Sequence, residues 1–319
     1  MIQSIALSDI QLARQRVTPC VRRTPQVISA TLSEALKTNV YCKLEIFQKT
    51  GSFKVRGVFN KILSIPTEVR RMGVVAVSGG NHGLAVAYAA RALDLKALIL
   101  MPEGTPTTFI EAARGYDADI EFATSASDAF AEVETMERAG WQFIHPFDDP
   151  DVMAGQGTIG LEILEDTPQV TDVIVAIGGG GMMTGVATAI KTLKPDVRIW
   201  GVETEGADCM AQSLAAGEIV SLNGTSSVAR ALGAAAPSPA SFQAAQQLLQ
   251  EVLVVSDEEA LDSVRFVLER MKILVEPAGA CPLAAADHLR QQFSGDRHVV
   301  LLFGGGNYPL DQLTPFDPI

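Results

Sequence analysis

Lys54, whose amine could react with a ligand, lies in the segment of residues 49–57, Lys-Thr-Gly-Ser-Phe-Lys-Val-Arg-Gly. The small residues at 50–52 favour a turn, and the apolar run over residues 55–65 predicts a helix that begins beside Lys54, with Ser52 as its N-cap. The positive end of the helix dipole and partial burial would both lower the pKa of this amine. Lys54 would then exist partly as the free amine, which can form a Schiff base with an aldehyde.

Three glycine-rich segments follow predicted strands and suggest what such an amine could meet. They are Gly178, Gly179, Gly180 and Gly181, residues 78–83 (Ser-Gly-Gly-Asn-His-Gly) and residues 304–307 (Gly-Gly-Gly-Asn). Backbone N–H groups without intervening side chains can converge on an anion at the start of a helix. The first segment suits a phosphate. The second suits a carboxylate, leaves Asn81 to bond a ring substituent, and makes His82 a structural residue. Neither the Rossmann spacing nor the P-loop sequence is present.

Short apolar segments alternate with helical patterns along most of the chain. This alternation predicts parallel βαβ units in an α/β fold, with a loop at residues 146–150 (Pro-Phe-Asp-Asp-Pro). In such a fold, ligands bind beyond the carboxyl ends of the strands, and we expect the three glycine loops at one edge of a sheet. The predicted strands cover residues 40–44, 74–77, 97–101, 120–123, 173–177, 198–202, 252–255 and 298–303.

Composition excludes several classes of protein. The chain has 319 residues, 47% hydrophobic residues and a formal net charge of −12, which disfavours nucleic-acid and anionic-membrane partners. Its four cysteines are scattered, so they fit neither a disulfide framework nor a zinc site. No segment reads as a signal peptide or a membrane span. We therefore expect a reduced, cytoplasmic protein.

Together these segments resemble the fold-type II pyridoxal-phosphate enzymes, in the serine/threonine dehydratase and serine racemase branch. The resemblance implies an α/β fold with two open, twisted, mostly parallel sheets flanked by helices, as in the tryptophan synthase β-like architecture. It also implies a large cofactor-binding domain of residues 1–52 and 146–319 and a small, mobile, substrate-gripping domain of residues 53–145. The matching segments, in the family's order, are residues 49–57, 78–83, 154–158, 178–182, 201–203, 276–279 and 304–307.

The same resemblance assigns roles to individual residues. Lys54 would carry pyridoxal 5'-phosphate as a Schiff base and shuttle the α-proton of the substrate. Phe53 would pack beside the cofactor, and Asn81 would bond its phenolic oxygen. The other cofactor-binding residues implied are Gly178, Gly179, Gly180, Gly181, Met182, Glu276 and Gly304. The residues implied to hold the substrate carboxylate are Ser78, Gly79, Gly80, Asn81 and His82.

Four positions depart from the pattern of this branch. Gly79 stands where serine racemases have the serine that protonates the second face, which disfavours racemisation. Gly304 replaces the serine or cysteine that meets the pyridine nitrogen. Cys209 replaces an aspartate of the racemase cation site, next to Glu203, so no metal is predicted. Residues 225–227 (Thr-Ser-Ser) replace an Ala-Asp-Gly segment on the substrate side.

We therefore expect a dehydratase, or ammonia-lyase, that converts an L-β-hydroxy amino acid to a 2-oxo acid and ammonia. A serine or aspartate racemase, a β-replacing synthase and a non-catalytic binding protein are the alternatives. Arg230 either pairs with an acidic substrate such as 3-hydroxyaspartate or is a surface arginine. The partner expected is a small-molecule amino-acid substrate, and the family's habit implies a homodimer. The chain ends soon after Asp311, so neither a regulatory domain nor feedback inhibition by isoleucine is expected.

Overall fold

In a computed structural model, the chain is described over residues 5–293 and 295–309. The outer edges of the predicted large domain, residues 1–4 and 310–319, lie outside this range. The strands are β1 (Gln26–Ile28), β2 (Asn39–Leu44), β3 (Val74–Val77), β4 (Ala97–Pro102), β5 (Asp119–Ala123), β6 (Gln142–Phe143), β7 (Asp172–Ala176), β8 (Arg198–Thr204), β9 (Glu251–Val255) and β10 (His298–Phe303). The helices are α1 (Leu7–Val17), α2 (Ala30–Leu36), α3 (Lys54–Ser64), α4 (Asn81–Ala92), α5 (Thr107–Arg114), α6 (Ala126–Arg138), α7 (Pro150–Asp166), α8 (Gly181–Leu193), α9 (Cys209–Ala216), α10 (Pro239–Leu248), α11 (Asp257–Phe266) and α12 (Pro277–His288).

The strands form two sheets. The larger sheet has six strands in the order β1-β2-β10-β7-β8-β9, and only the β1–β2 pair among its described strands is antiparallel. The smaller sheet has four parallel strands in the order β5-β4-β3-β6. The predicted α/β fold with two mostly parallel sheets is confirmed. The smaller sheet falls within residues 53–145, but the proposed domain boundaries stay a prediction.

Helices cover both faces of the larger sheet, which explains why its strands are continuous apolar runs. In β10, Val299, Leu301 and Phe303 pack into a cluster with α12. Val300 and Leu302, which alternate with them, pack into a second cluster with α8. No helix in the described part of the chain combines the length and apolar character needed to cross a bilayer.

The predicted N-cap role of Ser52 is wrong. Helix α3 begins at Lys54, Phe53 occupies its N-cap position, and no side chain caps the helix. Ser52 instead pairs through its backbone with Gly305, and the N–H of Phe53 donates to the carbonyl of Gly304 at 3.0 Å. These backbone bonds hold Ser52 extended and buried against the third glycine loop, so its hydroxyl cannot reach the helix.

Helix α7 is a substantial element that the sequence prediction missed. The predicted loop at 146–150 precedes it, and Asp149 caps it by accepting from the N–H groups of Asp151 and Val152. Its glycines, which argue against a helix, permit close packing instead. A Cβ on Gly155 would lie 2.6 Å from the Arg56 carbonyl oxygen, so α7 and α3 can approach only without a side chain there. The prediction also missed β1, α2, β6 and α10.

Candidate active site

A cavity of about 560 Å³ lies beyond the carboxyl ends of β3, β7 and β10. The loops after β7 and β10 are neighbours in the larger sheet, whereas the loop after β3 belongs to the smaller sheet. The expectation of a single sheet edge was therefore wrong, because the loop of residues 78–83 comes from the other sheet. All the residues predicted for the site line this one cavity: Phe53, Lys54, Ser78, Gly79, Gly80, Asn81, His82, Gly178, Gly179, Gly180, Gly181, Met182, Glu276 and Gly304.

Lys54 is the first residue of α3 and places its amine in the cavity. Its Nζ donates a hydrogen bond to the carbonyl oxygen of Pro146 at 2.8 Å, which ties it to the loop before α7. Burial lowers the pKa of Lys54 to about 8, although the nearby charge of Glu276 opposes this shift. The amine is therefore held in one place and is far easier to deprotonate than an ordinary lysine.

The lowered pKa predicts how the apoenzyme takes up pyridoxal phosphate. Because only the neutral amine attacks an aldehyde, the uptake rate should rise with pH and level off near pH 8, where the pKa of Lys54 lies. At pH 7 about a tenth of the amine would be neutral, against well under a thousandth for an ordinary lysine. Stopped-flow absorbance after mixing apoenzyme and cofactor would measure the rate. A rate that still rises tenfold per pH unit beyond about pH 9.5 would contradict the lowered pKa.

The loop after β7 has the form of a phosphate cradle. Within the described residues, the N–H groups of residues 179–182 donate to no backbone carbonyl, so they are available to a ligand at the start of α8. The loop also has no room for side chains. A Cβ on Gly179 would lie 2.3 Å from the ring of Phe147, and one on Gly180 would lie 2.4 Å from the Cβ of Ser241. Bare backbone at the start of a helix fits the phosphate of pyridoxal phosphate.

We predict that Gly180→Ala weakens cofactor binding at least tenfold. Gly180 has a φ of +92°, which an alanine tolerates poorly, and the new Cβ would push against Ser241 at the start of α10. The matched control is Gly217→Ala, because Gly217 also has a positive φ of +76° but a Cβ added there would meet nothing within 4 Å. Cofactor titration followed by absorbance should show weaker binding only for Gly180→Ala. Equal affinities in the two variants would contradict the assignment of the cradle.

A hydrogen-bonded chain fixes the amide of Asn81 in the cavity. Its Nδ2 donates to the two carboxylate oxygens of Glu276 at 2.8 and 3.1 Å, and its Oδ1 accepts from Nδ2 of Asn307 at 2.7 Å. Asn307 also donates to the carbonyl oxygen of Thr50, in the lysine segment. Burial raises the pKa of Glu276 to about 7, against the lowering effects of Asn81 and Lys54. This chain joins the lysine segment, the loop of residues 78–83, Glu276 and the segment of residues 304–307, and it fixes the orientation of the Asn81 amide.

The loop after β3 offers N–H groups to an anion, but its histidine cannot add a charge. Gly80 donates its N–H to Oγ of Ser78 at 3.1 Å, which closes the turn before α4. Nε2 of His82 lies 2.7 Å from the carbonyl oxygen of Ile144, so this nitrogen carries the proton. Burial lowers the pKa of His82 to about 3, and the charge of Lys54 adds to the effect. His82 is therefore neutral and structural in its contacts.

The two glycines that depart from the family pattern have filled surroundings. A Cβ on Gly79 would lie 2.4 Å from Oγ1 of Thr105, so the Thr105 hydroxyl occupies the space of a serine side chain. A Cβ on Gly304 would lie 3.2 Å from the ring of Phe53 and 3.5 Å from Cε of Met182. The part of the cavity next to Gly304 is thus apolar, and no side-chain hydroxyl or thiol stands at that position.

Glu203 and Cys209 lie in surroundings that favour their neutral forms. The Glu203 carboxylate accepts from the N–H groups of Met210 and Ala211 at 3.0 and 2.7 Å, so it binds the start of α9. Burial raises the pKa of Glu203 to about 8 and that of Cys209 to about 12, and both shifts favour uncharged groups. No cluster of three metal-ligating side chains occurs among the described residues. A neutral carboxyl and a thiol are poor ligands for a hard cation.

The substrate-side prediction for residues 225–227 needs correction. These residues line a second cavity of about 430 Å³, not the cavity that contains Lys54. Within the segment of residues 225–233, the first residue that lines the main cavity is Val228, and Arg230 lines both cavities. Sequence reasoning also missed Thr105, Phe147, Asn307 and Tyr308, which line the main cavity from loops. Asn307 alone carried a signal, since it ends the third glycine segment.

Comparisons with known proteins agree with this geometry. Residues 17–305 match the family described as "Pyridoxal-phosphate dependent enzyme". L-threonine ammonia-lyase of Geobacter sulfurreducens is 42% identical over 298 residues, which are 93% of this chain and 74% of that protein. Maize serine racemase superposes with a TM-score of 0.94 at 35% identity, over 98% of this chain and 96% of that chain. A threonine deaminase from T.th. superposes with a TM-score of 0.89 at 36% identity, over 98% of this chain and 100% of that chain.

Proposed function

The chain belongs to the family of pyridoxal-phosphate dependent enzymes, in its serine/threonine dehydratase branch, and we propose that it acts as an ammonia-lyase on an L-β-hydroxy amino acid. Such an enzyme eliminates the β-hydroxyl group and releases a 2-oxo acid and ammonia. The observation that carries the proposal is the convergence of the Lys54 amine, the glycine cradle of α8 and the N-terminus of α4 on one cavity. The relatives named L-threonine ammonia-lyase support threonine as a substrate.

Each part of the cavity would bind one part of the reactants. When bound, pyridoxal phosphate supplies an aldehyde that condenses with amines and a ring that withdraws electrons from the substrate Cα. The N–H groups of the α8 cradle would hold its phosphate, and Asn81, fixed by Glu276 and Asn307, would orient its ring. The N-terminus of α4 would bind the substrate carboxylate, since free N–H groups and the helix dipole favour an anion.

Lys54 is the group that would move the proton. A base must be neutral to accept the α-proton, and a pKa of about 8 gives Lys54 a substantial neutral fraction near physiological pH. Its hydrogen bond to Pro146 keeps the amine at the cavity wall when it is not bonded to the cofactor. The ring of Phe53 lines the same cavity, and its centre lies 5.3 Å from the Lys54 Nζ.

Racemisation is the second candidate function, because serine racemase is among the structural relatives. A racemase needs a proton donor on each face of the reacting carbon. Gly79 has no proton to give, and the Thr105 hydroxyl beside it donates to the Pro102 carbonyl oxygen at 2.7 Å. These contacts favour elimination. Chiral analysis of the amino acid recovered after incubation would detect any racemase activity.

A substrate panel tests the proposed function. Holoenzyme would be incubated with L-serine, L-threonine, L-3-hydroxyaspartate and L-phenylserine, and 2-oxo acid and ammonia would be measured separately. We expect equal amounts of the two products from at least one substrate. A parallel reaction with added sulfide would reveal a β-replacing synthase through the formation of a thiol amino acid. Holoenzyme that releases no oxo acid from any of the four would contradict the proposal.

We also propose that the enzyme is a cytoplasmic homodimer. The support for a reduced compartment is that Cys20, Cys42, Cys209 and Cys281 are all free thiols. The support for a dimer is the habit of the family that the sequence resembles. Light scattering after gel filtration should give twice the chain mass of 33.9 kDa. A mass equal to that of one chain would exclude the dimer.

A further inference from the structure

Arg230 is a charged residue of the cavity that the proposed chemistry does not use. It lies on a 3-10 turn, Arg230–Leu232, is exposed, and lines both the main cavity and the second cavity. Its guanidinium makes no hydrogen bond or ion pair with the residues that the structure describes, in contrast to the Glu276 carboxylate, which is bonded to Asn81. A guanidinium carries five donors and stays charged at any physiological pH. Arg230 therefore presents unused anion-binding capacity to the ligand.

The turn that carries Arg230 is held firmly on both sides. Before it, the Asp257 carboxylate accepts from Oγ of Ser227 at 2.6 Å and from the N–H of Val228 at 3.0 Å. Within it, the N–H of Leu232 donates to the Ala229 carbonyl oxygen at 2.8 Å. Leu232 is buried and packs against the first glycine of the phosphate cradle. The backbone of Arg230 is thus fixed relative to the site, while its side chain is not.

The charges of the cavity leave Arg230 as the cation for a substrate. Among the described residues that line the cavity, Lys54 and Arg230 are the positively charged ones, because His82 is neutral. Lys54 is committed to the cofactor. The charge of the Arg230 guanidinium affects Tyr308, which lines the same cavity. Burial raises the pKa of Tyr308, and the charge of Arg230 opposes this rise. A second negative group on the substrate would find its partner at Arg230.

We propose that Arg230 recognises a carboxylate on the substrate side chain, so that the preferred substrate class is an acidic β-hydroxy amino acid of the 3-hydroxyaspartate type. This inference rests on the proposed function of the same site. A guanidinium binds a carboxylate through two parallel hydrogen bonds, which gives both affinity and orientation. Serine and threonine lack this carboxylate and would bind through their α-carboxylate and amine alone.

The rival role for Arg230 is to bind the cofactor phosphate, since its turn packs beside the cradle. The two roles predict different losses when the charge is removed. If Arg230 binds the cofactor phosphate, its substitution would weaken the binding of pyridoxal phosphate and would affect every substrate equally. If Arg230 binds the substrate side chain, its substitution would weaken the binding only of ligands that carry a second carboxylate.

The test compares ligands of equal shape and different charge. L-aspartate and L-asparagine lack the leaving hydroxyl, so their affinities for the holoenzyme can be measured by absorbance titration without elimination. We expect the wild-type protein to bind L-aspartate more tightly than L-asparagine. Arg230→Met should reduce this aspartate-to-asparagine preference by roughly 10- to 150-fold, the range for a hydrogen bond to a charged group. Arg230→Lys should restore part of it, because a point charge remains without the planar fork.

The matched control is Arg71→Met, which removes the same charge from an exposed 3-10 turn that does not line the cavity. It should keep the wild-type preference. Two further quantities would be measured for Arg230→Met: the dissociation constant of the cofactor, and the ratio of kcat/KM for 3-hydroxyaspartate to that for threonine. An unchanged aspartate preference in Arg230→Met, or a loss of cofactor affinity in its place, would overturn the inference. Failure of the proposed function looks different, because no β-hydroxy amino acid would then yield an oxo acid, while the aspartate titration would still report on Arg230.

Discussion

Lys54→Ala should abolish turnover, with kcat at least about 10⁴-fold below that of the wild-type protein, because the variant would lose the group that we propose both as the covalent attachment of the cofactor and as the base. The cavity places this one amine against the Pro146 carbonyl oxygen, with a pKa of about 8. The glycine cradle and Asn81 are untouched by the substitution, so the cofactor should still bind, as a free aldehyde. Oxo-acid release and the absorbance spectrum would be recorded together.

Lys49→Ala is the control for this experiment. Lys49 lies five residues earlier in the same segment, but its Nζ lies 5.7 Å from the centre of the Tyr88 ring and does not line the cavity. We expect its kcat to stay within a few-fold of the wild-type value. Added methylamine should restore part of the activity of Lys54→Ala, since an external amine can accept the α-proton. A Lys54→Ala protein with wild-type turnover would remove the basis of the account.

Arg56→Met should destabilise the fold by about 3–5 kcal/mol, the cost of leaving buried charges without their partner. Arg56 is fully buried on α3 and binds two carboxylates. Its Nε lies 2.8 Å from Oε2 of Glu45, and its Nη1 lies 2.7 Å from Oε1 of Glu162 on α7. Lys43 also pairs with Glu162, so the larger part of the cost falls on Glu45. The melting temperature should fall by roughly 4 to 8 °C.

Two further variants separate this effect from a general loss of charge. Arg138→Met removes an arginine whose pair with Glu134 is largely exposed, and it should change stability by less than about 1 kcal/mol. Glu45→Gln combined with Arg56→Met should recover part of the loss, because the orphaned carboxylate becomes a neutral amide. If Arg56→Met melts at the wild-type temperature, the buried ion pairs contribute nothing to the fold.

The fold was predictable where local sequence and long-range packing agree. Strands such as β3 and β10 are apolar runs followed by glycine segments, and their predicted bounds, residues 74–77 and 298–303, agree with the structure. Helix α7 was missed because its glycines lower helix propensity, and the reason for them lies elsewhere in the chain. A Cβ on Gly157 would lie 2.9 Å from the Gly185 carbonyl oxygen of α8, a contact that sequence spacing cannot reveal.

The residues of the site were predictable from the sequence, but the hydrogen bonds between them were not. Lysine and glycine segments carry their chemistry in their composition, so the predicted residues could be named before their positions were known. The bond between Asn81 and Glu276 joins residues 195 positions apart, and no local pattern encodes it. For Ser52 the local pattern was misleading. Its type and position suit a helix N-cap, but its backbone forms a bridge with Gly305 instead. The sequence allowed Arg230 to be either a surface arginine or a partner for an acidic substrate, and its position in the lining of the cavity favours the second role.

The central claim is that the Lys54 amine holds the cofactor, and one measurement tests it without reference to activity. Borohydride would reduce the bond between lysine and pyridoxal phosphate in the holoenzyme, and tryptic peptides would then be sequenced by mass spectrometry. We predict a single reduced cofactor on the peptide of residues 50–56, which trypsin would leave uncut at the modified Lys54. A label on any other lysine, or unlabelled Lys54 in protein that retains the cofactor, would contradict the claim.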